Sequence, residues 1–262
     1  MNDSSRSRLD AWLPTLLLAA GSALFLGAGR HHPRINASLG EVGSPQFYRA
    51  FAAHMLHMPN WGSVHLGILL GPVLWALAAS GAARLLPARA ASLGDLARSA
   101  LMLAAGLWSV AFVLDGFVGP KLANAIVAAG VSGDAEAIRA FSANQLAMAR
   151  LGMLSIVLVG TAMTAFGGAL LMGARIRSWR SAVGALGLVS GAWPVAAALR
   201  GEFYPGPFTS PWWTITALAI GFWFLLFATV VPALDPRAGL AEERGADAVR
   251  PAITGTRVPS TL

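Results

Sequence analysis

Residues 212–234 read WWTITALAIGFWFLLFATVVPAL, a stretch that contains no Asp, Glu, Lys or Arg. About 20 consecutive apolar residues are enough to cross the hydrocarbon core of a bilayer as an α-helix. This stretch is therefore predicted to be a membrane-spanning helix. Several other stretches of the chain are similarly long and apolar, so the chain is expected to cross the membrane more than once.

Five further apolar stretches lie at 12–29, 62–86, 99–118, 145–173 and 182–199. Of the 262 residues, 56% are hydrophobic and 12% are charged, and the mean hydropathy is +0.61. A soluble domain of this length could not bury so much apolar surface. We expect an all-α, polytopic integral membrane protein whose residues 1–234 form a six-transmembrane-helix bundle in contact with the lipid bilayer. The remaining residues, 235–262, are predicted to be a disordered cytoplasmic tail.

The distribution of basic residues predicts the orientation of the bundle. Connections that share a side with the N-terminus contain Arg6, Arg8, Arg84, Arg89, Arg98, Arg175, Arg177, Arg180, Arg237, Arg244, Arg250 and Arg257. Connections on the other side contain Arg30, Arg34, Arg49, Lys121, Arg139 and Arg200. Because cytoplasmic connections carry the excess of Lys and Arg, both termini are predicted to be cytoplasmic, and the address to be a bacterial inner membrane.

Two function classes are excluded by composition. The chain has no cysteine, so thiolate zinc sites, Cys-ligated iron–sulfur clusters and cysteine nucleophiles are excluded. The net charge of +7 comes from basic residues scattered between apolar runs, which is typical of topogenic charge and not of a nucleic-acid-binding face. We therefore expect no nucleic-acid partner.

The longest outer connection, 30–60, contains a predicted helix. Ser44-Pro45 has the form of an N-cap followed by proline at the first helical position, and Pro59 ends the segment. The predicted helix, 45–58, is amphipathic and should lie on the membrane surface or against the bundle. A second outer connection, 121–144, is rich in small residues and is expected to be helical after Asp134.

All five histidines fall between His31 and His65, on the predicted outer side. His54 and His57 are three residues apart and share a helical face, and His65 could fold back as a third ligand. Met58 or Met55 could add a thioether. These donors suit haem iron (a haem b), copper or zinc, so we predict a cofactor or metal site formed by His54, His57 and His65. The alternative is a set of interfacial histidines without a ligand.

Three ionisable groups lie near the outer ends of predicted spans: His65, Asp115 and Arg150. Charges at such depth usually face the interior of a bundle and are paired. Asp115 and Arg150 are therefore predicted to form a polar clamp, or Asp115 to orient the imidazole of His65.

The segments His32-Pro33, Trp61-Gly62-Ser63-Val64-His65 and Asp115-Gly116, together with the glycine-rich fifth span, resemble a diffuse group of small, uncharacterised multi-pass membrane proteins found widely in bacteria. In that group a His-Pro follows the first span, a Trp-x-x-x-His opens the second and a polar residue lies late in the third. The resemblance implies a fold and a membrane address. It implies no activity, and His54 and His57 are not part of its pattern.

Three functions remain open on the sequence alone. The absence of catalytic motifs favours an accessory or structural subunit that would contact other membrane subunits. The clustering of histidines favours a redox or metal-handling protein with a periplasm-facing His/Met/Asp site for haem or copper. Glycine-rich spans that contain Pro72 and Pro194 favour a carrier of small molecules or lipids.

Overall fold

The computed structural model describes residues 3–32, 39–172, 174, 177–200 and 211–234, with side chains from residue 12 onward except at 211 and 212. All regular secondary structure in these ranges is helical. The tail 235–262, predicted to be disordered, lies outside the described residues.

The helices are α1 (Asp3–Arg30), α2 (Pro45–Leu56), α3 (Trp61–Arg84), α4 (Ala91–Val113), α5 (Gly119–Gly133), α6 (Ala135–Leu171), α7 (Trp179–Leu199) and α8 (Pro211–Val230). A π-helical turn, Leu114–Val118, joins α4 to α5 without interrupting the helical path. Within the described ranges, six helical stretches are long and apolar enough to cross a membrane. The all-helical fold and the six apolar stretches predicted from the sequence are thereby confirmed.

The six apolar helices α1, α3, α4, α6, α7 and α8 form a ring in chain order. Each packs against the next, and α8 closes the ring by packing against α1. The buried side chains inside the ring, which include Trp75, Ile156, Met163 and Phe224, form the central core. A closed ring lets every apolar helix bury one face against two neighbours while its opposite face stays exposed.

Glycines set the closest contacts between neighbouring helices of the ring. A Cβ at Gly160 of α6 would lie 2.5 Å from the carbonyl oxygen of Gly191 in α7. A Cβ at Gly71 of α3 would lie 2.7 Å from the Cβ of Phe25 in α1. Gly71 and Gly191 each end a Gly-x-x-x-Gly pair, a spacing whose small residues let helix backbones approach closely in lipid.

Two of the apolar helical stretches are longer than a bilayer is thick. Ala88–Gly133 has 46 residues and α6 has 37, which corresponds to roughly 69 Å and 55 Å of helix at about 1.5 Å per residue, against a hydrocarbon core of about 30 Å. Their surplus lengths pack against each other and against α2. The result is a second, separate group of buried side chains, here called the end cluster, which includes Phe47, Phe51, Met55 and Phe141.

The structure refines two predicted boundaries in this region. Ser44 caps α2 as expected, because its Oγ accepts a hydrogen bond from the Phe47 N–H at 3.1 Å, and the helix ends at Leu56, close to the predicted end near residue 58. The helix predicted after Asp134 is present, because α6 begins at Ala135. The residues before it are helical as well, from Gly119 onward, and Gly130, at a φ of 65° that favours glycine, interrupts that helix locally.

Candidate functional site

A buried pair of ionisable side chains lies between the central core and the end cluster. Nε2 of His65 in α3 is 2.9 Å from Oδ2 of Asp115 in the π-helical turn. His65 has no exposed surface and Asp115 is 3% exposed. The contact between Asp115 and His65 that the sequence predicts as one of two pairings is therefore present.

The backbone fixes which nitrogen of His65 carries a proton. Nδ1 lies 2.6 Å from the carbonyl oxygen of Trp61, one helical turn earlier. A carbonyl only accepts, so Nδ1 must donate. The Nε2 lone pair of a neutral ring then faces the lone pairs of the Asp115 carboxylate. Two such acceptors stay together in a buried place only if a proton or a cation lies between them.

The π-helical turn places Asp115 at this position and frees backbone carbonyls for contacts from other helices. The Gly119 N–H bonds to Leu114 O, five residues back. Leu114 O also accepts from Nδ2 of Asn144 at 3.2 Å, and Asp115 O accepts from the Trp61 indole at 2.9 Å. Because π-helical turns occur often at functional sites, this one supports a functional role for Asp115.

Close packing of α3 on the π-helical turn requires a small residue next to Asp115. A Cβ at Gly116 would lie 2.8 Å from the Cβ of His65. The Trp61 ring covers the imidazole from one side, with ring centroids 4.6 Å apart in a stacked arrangement. Trp61 therefore holds both partners: its carbonyl and ring fix His65, and its indole N–H fixes the backbone at Asp115.

His32, just after α1, completes the group. Its ring centroid is 5.0 Å from that of His65. The three residues His32, His65 and Asp115 each place one ligand atom within 4.8 Å of the other two. Within the described ranges, no other His, Asp or Glu belongs to this group. His32 is half-buried, whereas His65 and Asp115 are buried.

The site predicted at His54, His57 and His65 is not brought together in this way. His57 is exposed, and its Nδ1 lies 2.6 Å from Ala53 O on its own helix. His54 is half-buried, and its Nε2 has no hydrogen-bond partner among the described residues. Neither belongs to the group around His65.

The predicted thioether ligands lie in apolar surroundings. Met55 is 1% exposed in the end cluster, where a Cβ at Gly119 would meet its Sδ at 3.4 Å. Met58 packs against the same cluster. Packing in the end cluster therefore explains the positions of both methionine side chains.

The alternative clamp between Asp115 and Arg150 is not formed. Among the described residues the only ion pair of Asp115 is with His65. Arg150 is exposed on α6. The sequence alone does not show whether Arg150 faces Asp115, because the direction of a side chain around a helix has meaning only relative to the neighbouring helices.

Comparison with protein-family models, with curated proteins and with solved structures finds no match to this chain. The site must therefore be interpreted from its own chemistry. The three residues of the site also lie in the segments that carry the sequence resemblance: His32-Pro33, Trp61 to His65 and Asp115-Gly116. This shared position is a sequence signal that points to His32.

Two imidazoles and one carboxylate make a donor set that suits divalent first-row transition metals. Two donor atoms bound to one ion at about 2.0–2.2 Å lie roughly 3–3.5 Å apart. The 2.9 Å between His65 Nε2 and Asp115 Oδ2 needs little adjustment to meet that spacing. The Nδ1 bond of His65 to a backbone carbonyl is the outer contact that typically orients a metal-binding imidazole.

Proposed function

We propose that this chain is a multi-pass inner-membrane protein that binds a divalent transition-metal ion through His32, His65 and Asp115. The observation that carries the proposal is the buried contact between Nε2 of His65 and the Asp115 carboxylate, two acceptors that need a shared cation or proton. A second acceptor atom supports it: Oδ1 of Asp115 is buried without a hydrogen-bond partner among the described residues. A metal ion satisfies all of these lone pairs at once.

The geometry favours a bare metal ion over haem. An axial imidazole must direct a free nitrogen at the haem iron, but Nδ1 of His65 is held by Trp61 O and Nε2 faces Asp115 at 2.9 Å. A porphyrin between these atoms would have to separate the buried pair. Nitrogen and oxygen donors without a thioether suit Zn²⁺, Cu²⁺ or Fe²⁺ better than Cu⁺. The activity we propose is therefore metal handling or metal-dependent redox chemistry.

The membrane orientation is part of the same proposal. Six membrane crossings put both termini on one side, and the excess of arginine in the connections near Arg89 and Arg177 makes that side cytoplasmic. The site at His32 and His65 then faces the periplasm. Reporter fusions after Arg89 should behave as cytoplasmic and fusions near Gly40 as periplasmic; the reverse pattern would overturn the orientation.

Metal analysis of the purified protein tests the proposed function. We expect about one equivalent of bound Zn²⁺, Cu²⁺ or Fe²⁺ after loading and removal of excess metal. The substitutions His65→Ala and Asp115→Ala should abolish that equivalent, because each removes a ligand. His57→Ala is the matched control, since His57 is exposed and outside the group. Equal metal content in His65→Ala and His57→Ala would refute the proposal.

A second candidate function, an accessory subunit of a larger membrane complex, is favoured by the exposed side of α5. Val127 is 57% and Val131 is 79% exposed, on a helix whose residues 122–133 carry no charge. A photoreactive residue at position 131 should then crosslink to one defined protein in intact membranes. Crosslinking to lipid alone would count against this function.

A further inference from the structure

Three buried polar groups that have no hydrogen-bond partner among the described residues lie in the half of the ring that holds the proposed metal-binding residues. They are Oδ1 of Asp115, the indole N–H of Trp108, and both amide atoms of Gln145. Gln145 is 4% and Trp108 is 5% exposed. Buried polar groups in proteins are nearly always satisfied by protein, water or a ligand. Three such groups in one region therefore call for a common explanation.

Gln145 lies at the level of Asp115 along the ring. Its chain neighbour Asn144 donates from Nδ2 to the carbonyl of Leu114, next to Asp115, at 3.2 Å. Further along, Oγ of Ser155 donates to Ala104 O at 2.7 Å, which confirms that α6 runs antiparallel to α4 in this register. Gln145 and Asp115 are therefore within about one helical turn of each other in height.

The side chain of Gln145 faces the interior of the ring. Gly152 is two turns away on the same face of α6, and a Cβ there would meet the Trp213 ring of α8 at 3.6 Å. Because α8 is not a neighbour of α6 in the ring, this contact crosses the interior. Trp108 points inward by the same argument, since its ring lies 5.9 Å from that of Phe25 in α1, across from α4.

The three metal-binding residues leave room for another ligand. Three protein donors are characteristic of sites that keep an open position for water or substrate, whereas structural zinc sites have four. Within the described ranges no fourth His, Asp or Glu places a ligand atom within 4.8 Å of all three. The amide of Gln145 offers both donors and an acceptor toward the same interior.

Resting on the proposed metal site, we propose that the bound ion keeps a coordination position for a small exogenous oxygen- or nitrogen-donor ligand, which Gln145 binds by a hydrogen bond inside the ring. In the resting state this ligand is water. It is exchanged for a small anion or another small donor molecule without any change in the oxidation state of the metal.

Cobalt substitution tests this proposal, because the visible absorption of Co²⁺ reports its coordination. The full-length protein is loaded with Co²⁺ and titrated with azide, which displaces water from an open position. We expect a saturable change in the spectrum. We also expect Gln145→Met to weaken azide binding about tenfold while cobalt binding stays unchanged, as the loss of one hydrogen bond to a charged ligand implies. Gln46→Met is the matched control, since Gln46 is exposed on α2.

The outcomes separate the two proposals. If Co²⁺ binds but azide leaves its spectrum unchanged, the metal site stands and the open position is wrong. If azide binds equally well to the Gln145→Met and Gln46→Met proteins, Gln145 does not contact the ligand and the proposal is overturned. If Co²⁺ does not bind at all, both proposals fail. Thermal unfolding adds a second readout: an amide that binds no ligand would make Gln145→Met more stable at no cost in azide affinity, because it removes an unsatisfied buried group.

Discussion

The central core and the layer around His65 lie in the same ring of helices but are built by opposite means. In the core, α6 and α7 meet at Gly160 and Gly191, where a Cβ on Gly160 would lie 2.5 Å from the Gly191 carbonyl oxygen. Around His65, the helices are joined by polar contacts to a π-helical turn, and some polar groups have no hydrogen-bond partner among the described residues. The first kind of contact is made by packing alone. The second kind would be completed by the metal ion of the proposed function.

The difference between the two regions indicates which part of an apolar bundle is the better candidate for a functional site. Small residues give close packing in lipid, where apolar side chains gain nothing by leaving the hydrocarbon. Polar groups at the same depth are costly, and their presence needs a reason beyond packing. The two regions should therefore respond differently to substitution, the core in its stability and the polar layer in its metal affinity.

The largest effect is expected at the glycine contact of the core. Gly160→Ala puts a Cβ within 2.5 Å of Gly191 O, so α6 and α7 must move apart. Overpacking of this kind costs about 1–3 kcal/mol. We expect a clear fall in the midpoint of thermal unfolding in detergent. Gly106→Ala is the control, because a Cβ at that position meets nothing within 4 Å and alanine favours the helix. Similar midpoints for the two variants would show that the helices are not in glycine contact.

A smaller effect is expected on metal affinity when the residues that support the proposed metal site are changed. Trp61→Phe keeps an aromatic ring and the carbonyl that fixes His65 but removes the indole N–H that binds Asp115 O. Loss of such outer contacts typically reduces metal affinity about 10–100-fold. Competition with a metal-binding dye should show this weakening, with Trp12→Phe as the exposed control. If both variants bind metal as the unaltered protein does, Trp61 plays no part in positioning the ligands.

The smallest effect is expected outside both regions, at the ion pair that fastens α2 to the start of α6. The Arg49 guanidinium, which bonds to both carboxylate oxygens of Asp134, lowers the pKa of that carboxyl below 3.8. The pair therefore stabilises the fold above that pH and stops doing so as the pH falls through the lowered pKa. Arg49→Gln should unfold at a slightly lower temperature at neutral pH, and the gap should close in acid.

The matched control for this ion pair is Arg139→Gln, which removes an equal charge from an exposed position on α6. Its unfolding temperature should follow that of the unaltered protein at every pH. An Arg49→Gln deficit that persists unchanged below the lowered pKa of Asp134 would show that Arg49 stabilises α2 by packing and not by charge.

The sequence was sufficient for the helices and only partly sufficient for the site. Length and apolar composition predict six stretches because a bilayer imposes both. The pairing of His65 with Asp115 also follows from their similar depth. The sequence gives His32 no role in the site, because the register in which the end of α1 packs beside α3 cannot be read from local patterns. Gln145 gave no signal for the same reason: its inward direction depends on which helices flank α6.

X-ray absorption spectroscopy of the metal-loaded protein, at the edge of the added metal, would identify the ligands of the proposed site. We expect nitrogen and oxygen ligands at about 2.0–2.2 Å, with the outer scattering of two imidazoles and no sulfur. This spectrum should disappear in His65→Ala and persist in His57→Ala. A sulfur ligand from Met55 or Met58, or an unchanged spectrum in His65→Ala, would contradict the assignment of the site to His32, His65 and Asp115.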